Sequence, residues 1–107
     1  LSPKDPLMWW ILFQMGWACF AAERYEEALD WAERSLQRRP GFANSYRLLA
    51  SSYAHLSRLE EARRAWGEAL RRQPGFSASA LQSAIPGADP NVTERYIDGL
   101  RKAGLKE

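Results

Sequence analysis

Few residues in this chain are of types that do chemistry. One histidine, His55, one cysteine, Cys19, and two adjacent acid pairs, Glu26-Glu27 and Glu60-Glu61, are the candidates. General acid–base catalysis needs a positioned partner within hydrogen-bond reach. His55 sits at the end of a predicted helix, next to a turn, and reads as a solvated or capping residue. The acid pairs open predicted helices, where carboxylates favour the helix dipole. Neighbours on a helix do not converge on one pocket, so neither pair makes a catalytic dyad. One Cys and one His fall short of a zinc ligand set, and Cys19 reads as a buried structural thiol. Gly99 and Gly104 do not form a glycine-rich phosphate loop after a strand. Catalytic, cofactor-binding and metal residues are therefore expected to be none, and this chain is not expected to be an enzyme.

The elements around these residues repeat. Arg24-Tyr25-Glu26-Glu27-Ala28-Leu29 recurs as Arg58-Leu59-Glu60-Glu61-Ala62-Arg63, and Arg38-Arg39-Pro40-Gly41-Phe42 recurs as Arg72-Gln73-Pro74-Gly75-Phe76. Ala28 to Ala62, Leu36 to Leu70 and Pro40 to Pro74 all share one offset of 34. A fixed period of this length is the mark of a stacked helical repeat.

Composition narrows the class further. The 107 residues fit one small domain or part of a longer solenoid. A net charge of +2 is too small a basic excess to argue for nucleic acid. The most apolar stretch, Leu7 to Phe20, is too short to span a bilayer as a helix. It also lacks the basic face of a membrane-surface helix. No cleavable signal is visible, and a single cysteine suits a reducing cytoplasm. The start, Leu1-Ser2-Pro3-Lys4-Asp5-Pro6, reads as the end of a preceding repeat or a linker, and the chain as a fragment of a longer protein.

Five helices are predicted. The first runs from near Pro6 to Ala22, with Asp5 as N-cap. Others cover Tyr25–Arg38, Ala43–Leu56 and Leu59–Arg72, ended by Pro40-Gly41 and Pro74-Gly75. Apolar spacing turns Ala28, Leu29, Ala32 and Leu36 inward, then Tyr46, Leu49, Ala50 and Tyr53, then Ala62, Trp66, Ala69 and Leu70. Gly16, Ala28 and Ser35 supply points of close approach, and Leu12, Met15 and Cys19 fill the gaps between them. Ser77 to Ala84 predicts two helical turns of a degenerate repeat, stopped by Ile85-Pro86-Gly87. Asp89-Pro90 then opens a helix to Ala103, with Gly104 at C′. Val92, Tyr96, Ile97 and Leu100 face inward and Glu94, Arg95, Asp98, Arg101 and Lys102 outward, as a solenoid cap requires.

Tyr46, Leu49, Ala50, Tyr53, Ala62, Trp66, Ala69 and Pro74 resemble the tetratricopeptide consensus. The earlier copy departs from it at Leu12, Cys19, Ala32 and Ser35. The resemblance implies an all-α, helix-turn-helix solenoid (an α-α superhelix) that binds other chains. It divides the chain into 1–8, end of a preceding repeat or linker; 9–42 and 43–76, two repeats; 77–88, a degenerate partial repeat; and 89–107, a capping helix.

In such stacks the first helix of each pair lines the concave groove where a partner lies. Helical spacing puts Trp10, Phe13, Trp17 and Phe20 in one stripe, and Asn44, Arg47, Ser51 and His55 in the equivalent stripe. An aromatic row beside Arg, Asn and Ser suits an extended or helical peptide. The competing reading is that Trp10, Trp17 and Phe20 pack on an upstream repeat. The expected partner is a protein or peptide, with self-association through the aromatic helix also open. No nucleic acid, membrane or cofactor is expected.

The tail, Glu94-Arg95-Tyr96-Ile97-Asp98-Gly99-Leu100-Arg101-Lys102-Ala103-Gly104-Leu105, resembles the C-terminus of bacterial signalling proteins with a class III adenylate/guanylate cyclase domain ahead of tetratricopeptide repeats. It implies a cytoplasmic, non-catalytic interaction module at the end of a larger protein. The alternative is a regulatory or oligomerisation segment controlling an upstream cyclase or transcriptional-regulator domain. No cyclase residue has a counterpart here.

Overall fold

The computed structural model describes residues 7–75, 77, 79–80 and 89–106. Among them are five helices of 13 or 14 residues and no strand. They are α1 (Met8–Ala21), α2 (Tyr25–Arg38), α3 (Ala43–His55), α4 (Leu59–Arg72) and α5 (Pro90–Ala103). Ser79 and Ala80 are also helical. The Asp5 cap, Phe76 and most of the stretch from Ser77 to Gly87 lie outside the described residues. The described part of the first helix starts from Leu7, whose side chain makes no cap bond. Its C-terminal end falls at Ala21, one residue before the predicted one.

α1 and α2 form one antiparallel pair, and α3 and α4 form the next. The architecture is an all-α helical-repeat solenoid. Both α1–α2 and α3–α4 turns use a non-glycine residue at positive φ, Glu23 and Ser57, each at 62°. The residue one step on, Arg24 or Arg58, ties back to Glu27 or Glu61 in the first turn of the following helix. The repeat is therefore visible in turn geometry as well as in residue type.

Small residues set the distances between layers. A Cβ on Gly16 would lie 2.8 Å from Leu48 Cδ2, and 3.3 Å from both Ala28 O and Trp31 Cβ. α1 therefore meets α2 and α3 at one glycine. Ser35 is fully buried at the same junction. Its hydroxyl donates to Trp9 O at 2.7 Å and accepts from Ser45 Oγ at 2.9 Å. This satisfies two buried hydroxyls that would otherwise cost stability. The core runs on through Phe20, Leu48, Ile97 and Leu100, all fully buried. Pairs one helical turn apart lie on the surface as well, Asp30–Arg34 and Glu60–Arg64 at 3.9 Å and Glu68–Arg72 at 2.6 Å.

Four residues lie otherwise than expected. Leu70 stays 36% exposed, because the buried side of α4 is spanned by Ala62, Ala65, Trp66 and Ala69. Met15 is 45% exposed and Cys19 half-buried, since no described element lies over that side of α1. Arg95 does not face outward; it reaches across to the end of α1.

Candidate partner-binding groove

α5 packs over residues of both predicted stripes, Trp17 and Phe20 on α1 and Ser51 and His55 on α3. Asp89 caps α5 by accepting from Asn91 N at 2.8 Å, and Pro90 occupies the first turn. Gly104, at φ +127°, ends the helix where a side chain would be strained. A Cβ there would also come 3.2 Å from Trp66 Cδ1. Between these ends, Val92, Tyr96, Ile97, Leu100 and Ala103 are buried, the period of a helix with one apolar side.

The contact of α5 with α3 centres on Gly99 and Ser51. A Cβ on Gly99 would collide with the Ser51 hydroxyl and lie 2.9 Å from Ser51 O. Ser51 Oγ donates to Tyr96 O at 2.8 Å, and His55 Nε2 donates to Arg95 O at 2.6 Å. Two side chains of the predicted α3 stripe thus bond to the main chain of α5. The Arg95 guanidinium reaches the other way. It donates to Phe20 O at 3.3 Å, Ala21 O at 2.8 Å and Tyr25 Oη at 2.9 Å. The carbonyls at a helix C-terminus carry partial negative charge, so a cation is favoured there.

Aromatic rings complete the seat. Tyr96 meets Trp17 at 5.0 Å and Phe20 at 5.8 Å, both edge to face. Trp17 stacks on Phe20 at 5.7 Å, and His55 stacks on Tyr25 at 4.9 Å. Such geometries add specific attraction to the area buried. Burial pushes the Tyr96 phenol above its ordinary pKa, while the Arg47 guanidinium beside it, also hydrogen-bonded to it, pulls the other way.

The eight predicted groove residues therefore divide. Trp17, Phe20, Arg47, Ser51 and His55 contact α5. Arg47, 5% exposed, is held by Asn44 Oδ1 and by Gln73 Oε1 at 3.0 Å. It serves as a buried strut rather than as a solvent-facing contact. Trp10, 41% exposed, and the half-buried Phe13 lie at the other end of the α1 stripe. They cluster with Phe42, at 6.1 and 5.4 Å. Trp9 joins them, 4.7 Å from Phe42 and under the Arg39 guanidinium at 4.3 Å. His55 is neither solvated nor a simple cap, because Tyr25, Phe20 and the Arg95 carbonyl enclose it.

Sequence reasoning missed Tyr96, Arg95 and Tyr25 as parts of this site. One signal was available. Gly99 stands inside an otherwise good helix, where glycine costs about 1 kcal/mol relative to alanine and needs a packing reason. Among the described residues no group of three or more His, Cys, Asp and Glu gathers to hold a metal. No helix among them is long and apolar enough to cross a membrane.

The family model "Tetratricopeptide repeat" matches residues 9–42. A protein from Rhizobium meliloti (strain 1021), named "Putative adenylate cyclase 3", is 41% identical over 44 residues. That stretch covers 41% of this chain and 8% of the other protein. No solved structure matches. Residues 9–42, which hold α1 from its second residue and all of α2, are therefore similar to a tetratricopeptide repeat, and they stand in an all-α helical-repeat solenoid.

Proposed function

We propose that this chain is a non-catalytic, protein-binding part of a larger bacterial signalling protein of the nucleotide-cyclase type. The repeats divide it at 9–42 and 43–76, and the inner face of α1 and α3 receives the partner. One observation carries the reading. Trp10 stands 41% exposed at the mouth of the groove, backed by Phe13 and Phe42. A rigid aromatic held by neighbours in a partly open site has the character of an interface hot spot. The likeness to part of an adenylate cyclase, with the resemblance of the tail to such proteins, supports the setting.

In this setting the segment works on a cyclase domain elsewhere in the protein, by holding a partner or by assembling copies. Assembly is a second reading, favoured by Leu7 at 59% exposure just before the same helix. The test is to assay the full parent protein for cyclic nucleotide formation and to measure its mass by light scattering. Deleting residues 1–107 should change regulation or assembly, and Trp10→Ala should reproduce part of that change with helicity intact. Unchanged output, regulation and mass in both proteins would overturn the proposal.

A further inference from the structure

The helix α5 does not simply add another layer to the solenoid. α3 packs on the first pair through Gly16 and Ser35. Stepped forward by one repeat, those positions are Ala50 and Ala69. α5 instead makes its closest approach at Ser51, a predicted groove position, and sends Arg95 back to the end of α1. It lies across the predicted α3 stripe, with Gly104 also against Trp66 of α4.

We propose that α5 is a built-in occupant of the groove, exchangeable for an amphipathic helix of a partner protein. That helix presents arginine, tyrosine and a small residue at the spacing Arg95-Tyr96-x-x-Gly99. The inference rests on reading the inner face as the binding surface, and it names the partner's chemistry. Three features define it. The carbonyls of Phe20 and Ala21 with the Tyr25 hydroxyl make a cation seat. Trp17 and Phe20 make an aromatic slot for a tyrosine ring. Ser51 leaves no room for a Cβ at the crossing point. Ser51 and His55 bond to helix carbonyls, which any helix in that position offers.

An attached segment competes with a free one at an effective concentration of order millimolar. The groove of the intact chain therefore presents low apparent affinity to an outside helix, because its competent state is a minor fraction. Weakening the α5 contact raises apparent affinity without adding any contact to the partner.

The probe is a fluorescein-labelled peptide of residues 89–106, titrated by anisotropy with the full chain, its Gly99→Leu variant and its Arg95→Ala variant. Gly99→Leu places a side chain against Ser51 and should bind the peptide at least about tenfold tighter than the unaltered chain. Arg95→Ala should fall between them, and a peptide that itself carries Gly99→Leu should not bind. If Gly99→Leu unfolds the whole chain, Arg95→Ala decides; binding no tighter than the unaltered chain would make α5 a fixed part of the fold and overturn the proposal. Dimers formed at the expense of peptide binding would assign the groove to a second copy and overturn the partner assignment. Failure of exchange alongside a Trp10→Ala effect in the parent protein would confine the error to α5 and leave the proposed function standing.

Discussion

Met15 of α1 and Leu49 of α3 hold the same position in two copies of one pattern, yet Met15 is 45% exposed and Leu49 is 7% exposed. The difference lies in what covers each helix. α3 sits between α2 and α4, and its neighbour Tyr53 touches Glu33 of α2, the phenol donating to Oε1 at 3.5 Å. α1 has α2 on one side and no described helix in the place that α2 takes beside α3. The same side chains therefore build a core in one copy and a surface in the other. Repeat identity fixes the shape of a layer, whereas stacking fixes its burial.

The contrast gives the largest expected effect. Leu49→Ala should destabilise the chain by about 2–5 kcal/mol, the usual range for emptying a buried leucine site. Met15→Ala should stay within roughly 0.5 kcal/mol, as at other exposed positions. Urea unfolding followed by helicity measures both. Equal losses would mean that Met15 is covered in solution, and the comparison between the two copies would fail.

Gly16 sharpens the same point from inside. Its counterpart 34 residues on is Ala50, so the second copy accommodates a Cβ where the first does not. Gly16→Val should cost about 1–3 kcal/mol through overpacking against Leu48, Ala28 and Trp31. A thermal melt shows this as a lower midpoint. A stabilised variant would mean that Leu48 gives way and that the glycine is not needed for the approach of α3.

The helices, their partners in the 34-residue repeat and the inward faces of α2, α4 and α5 could be read from periodicity, since each carries a one-sided apolar stripe. α1 yields a stripe by spacing but no polar side to tell inward from outward, because it is apolar nearly all round. Its burial pattern depends on α2, α3, α5 and Phe42, which lie elsewhere in the chain. The groove stripes followed from helical spacing, and the structure sets Phe20 against His55 across them. That α5 returns over Ser51 and His55 was not legible, because a docking site on another helix leaves no period in sequence. Gly99 alone marked it. Arg95, on the polar side by spacing, is drawn inward by the carbonyl end of α1, a feature that a helical projection of α5 cannot contain.

The smallest effect concerns a phenol that the first copy lacks. Tyr53 of α3 corresponds to Cys19 of α1. Burial chiefly holds the Tyr53 phenol above its ordinary pKa, with Glu33 and Glu61 adding to this and Arg58 opposing it. A phenol is neutral when protonated, so a raised folded value means that the unfolded chain loses the proton first. The stabilisation is complete below the ordinary tyrosine value of about 10 and is lost as pH rises through the higher folded value. Tyr96 shifts in the same direction, by burial. Stability should therefore fall above about pH 10, and Tyr53→Phe should flatten part of that fall by removing the ionisation between α2 and α3. The check is the urea midpoint measured across the alkaline range for both proteins, comparing slopes rather than absolute values. An unchanged slope in Tyr53→Phe would place the alkaline sensitivity in Tyr96 and α5, and would remove Tyr53 from the account of why the second copy is the better-buried one.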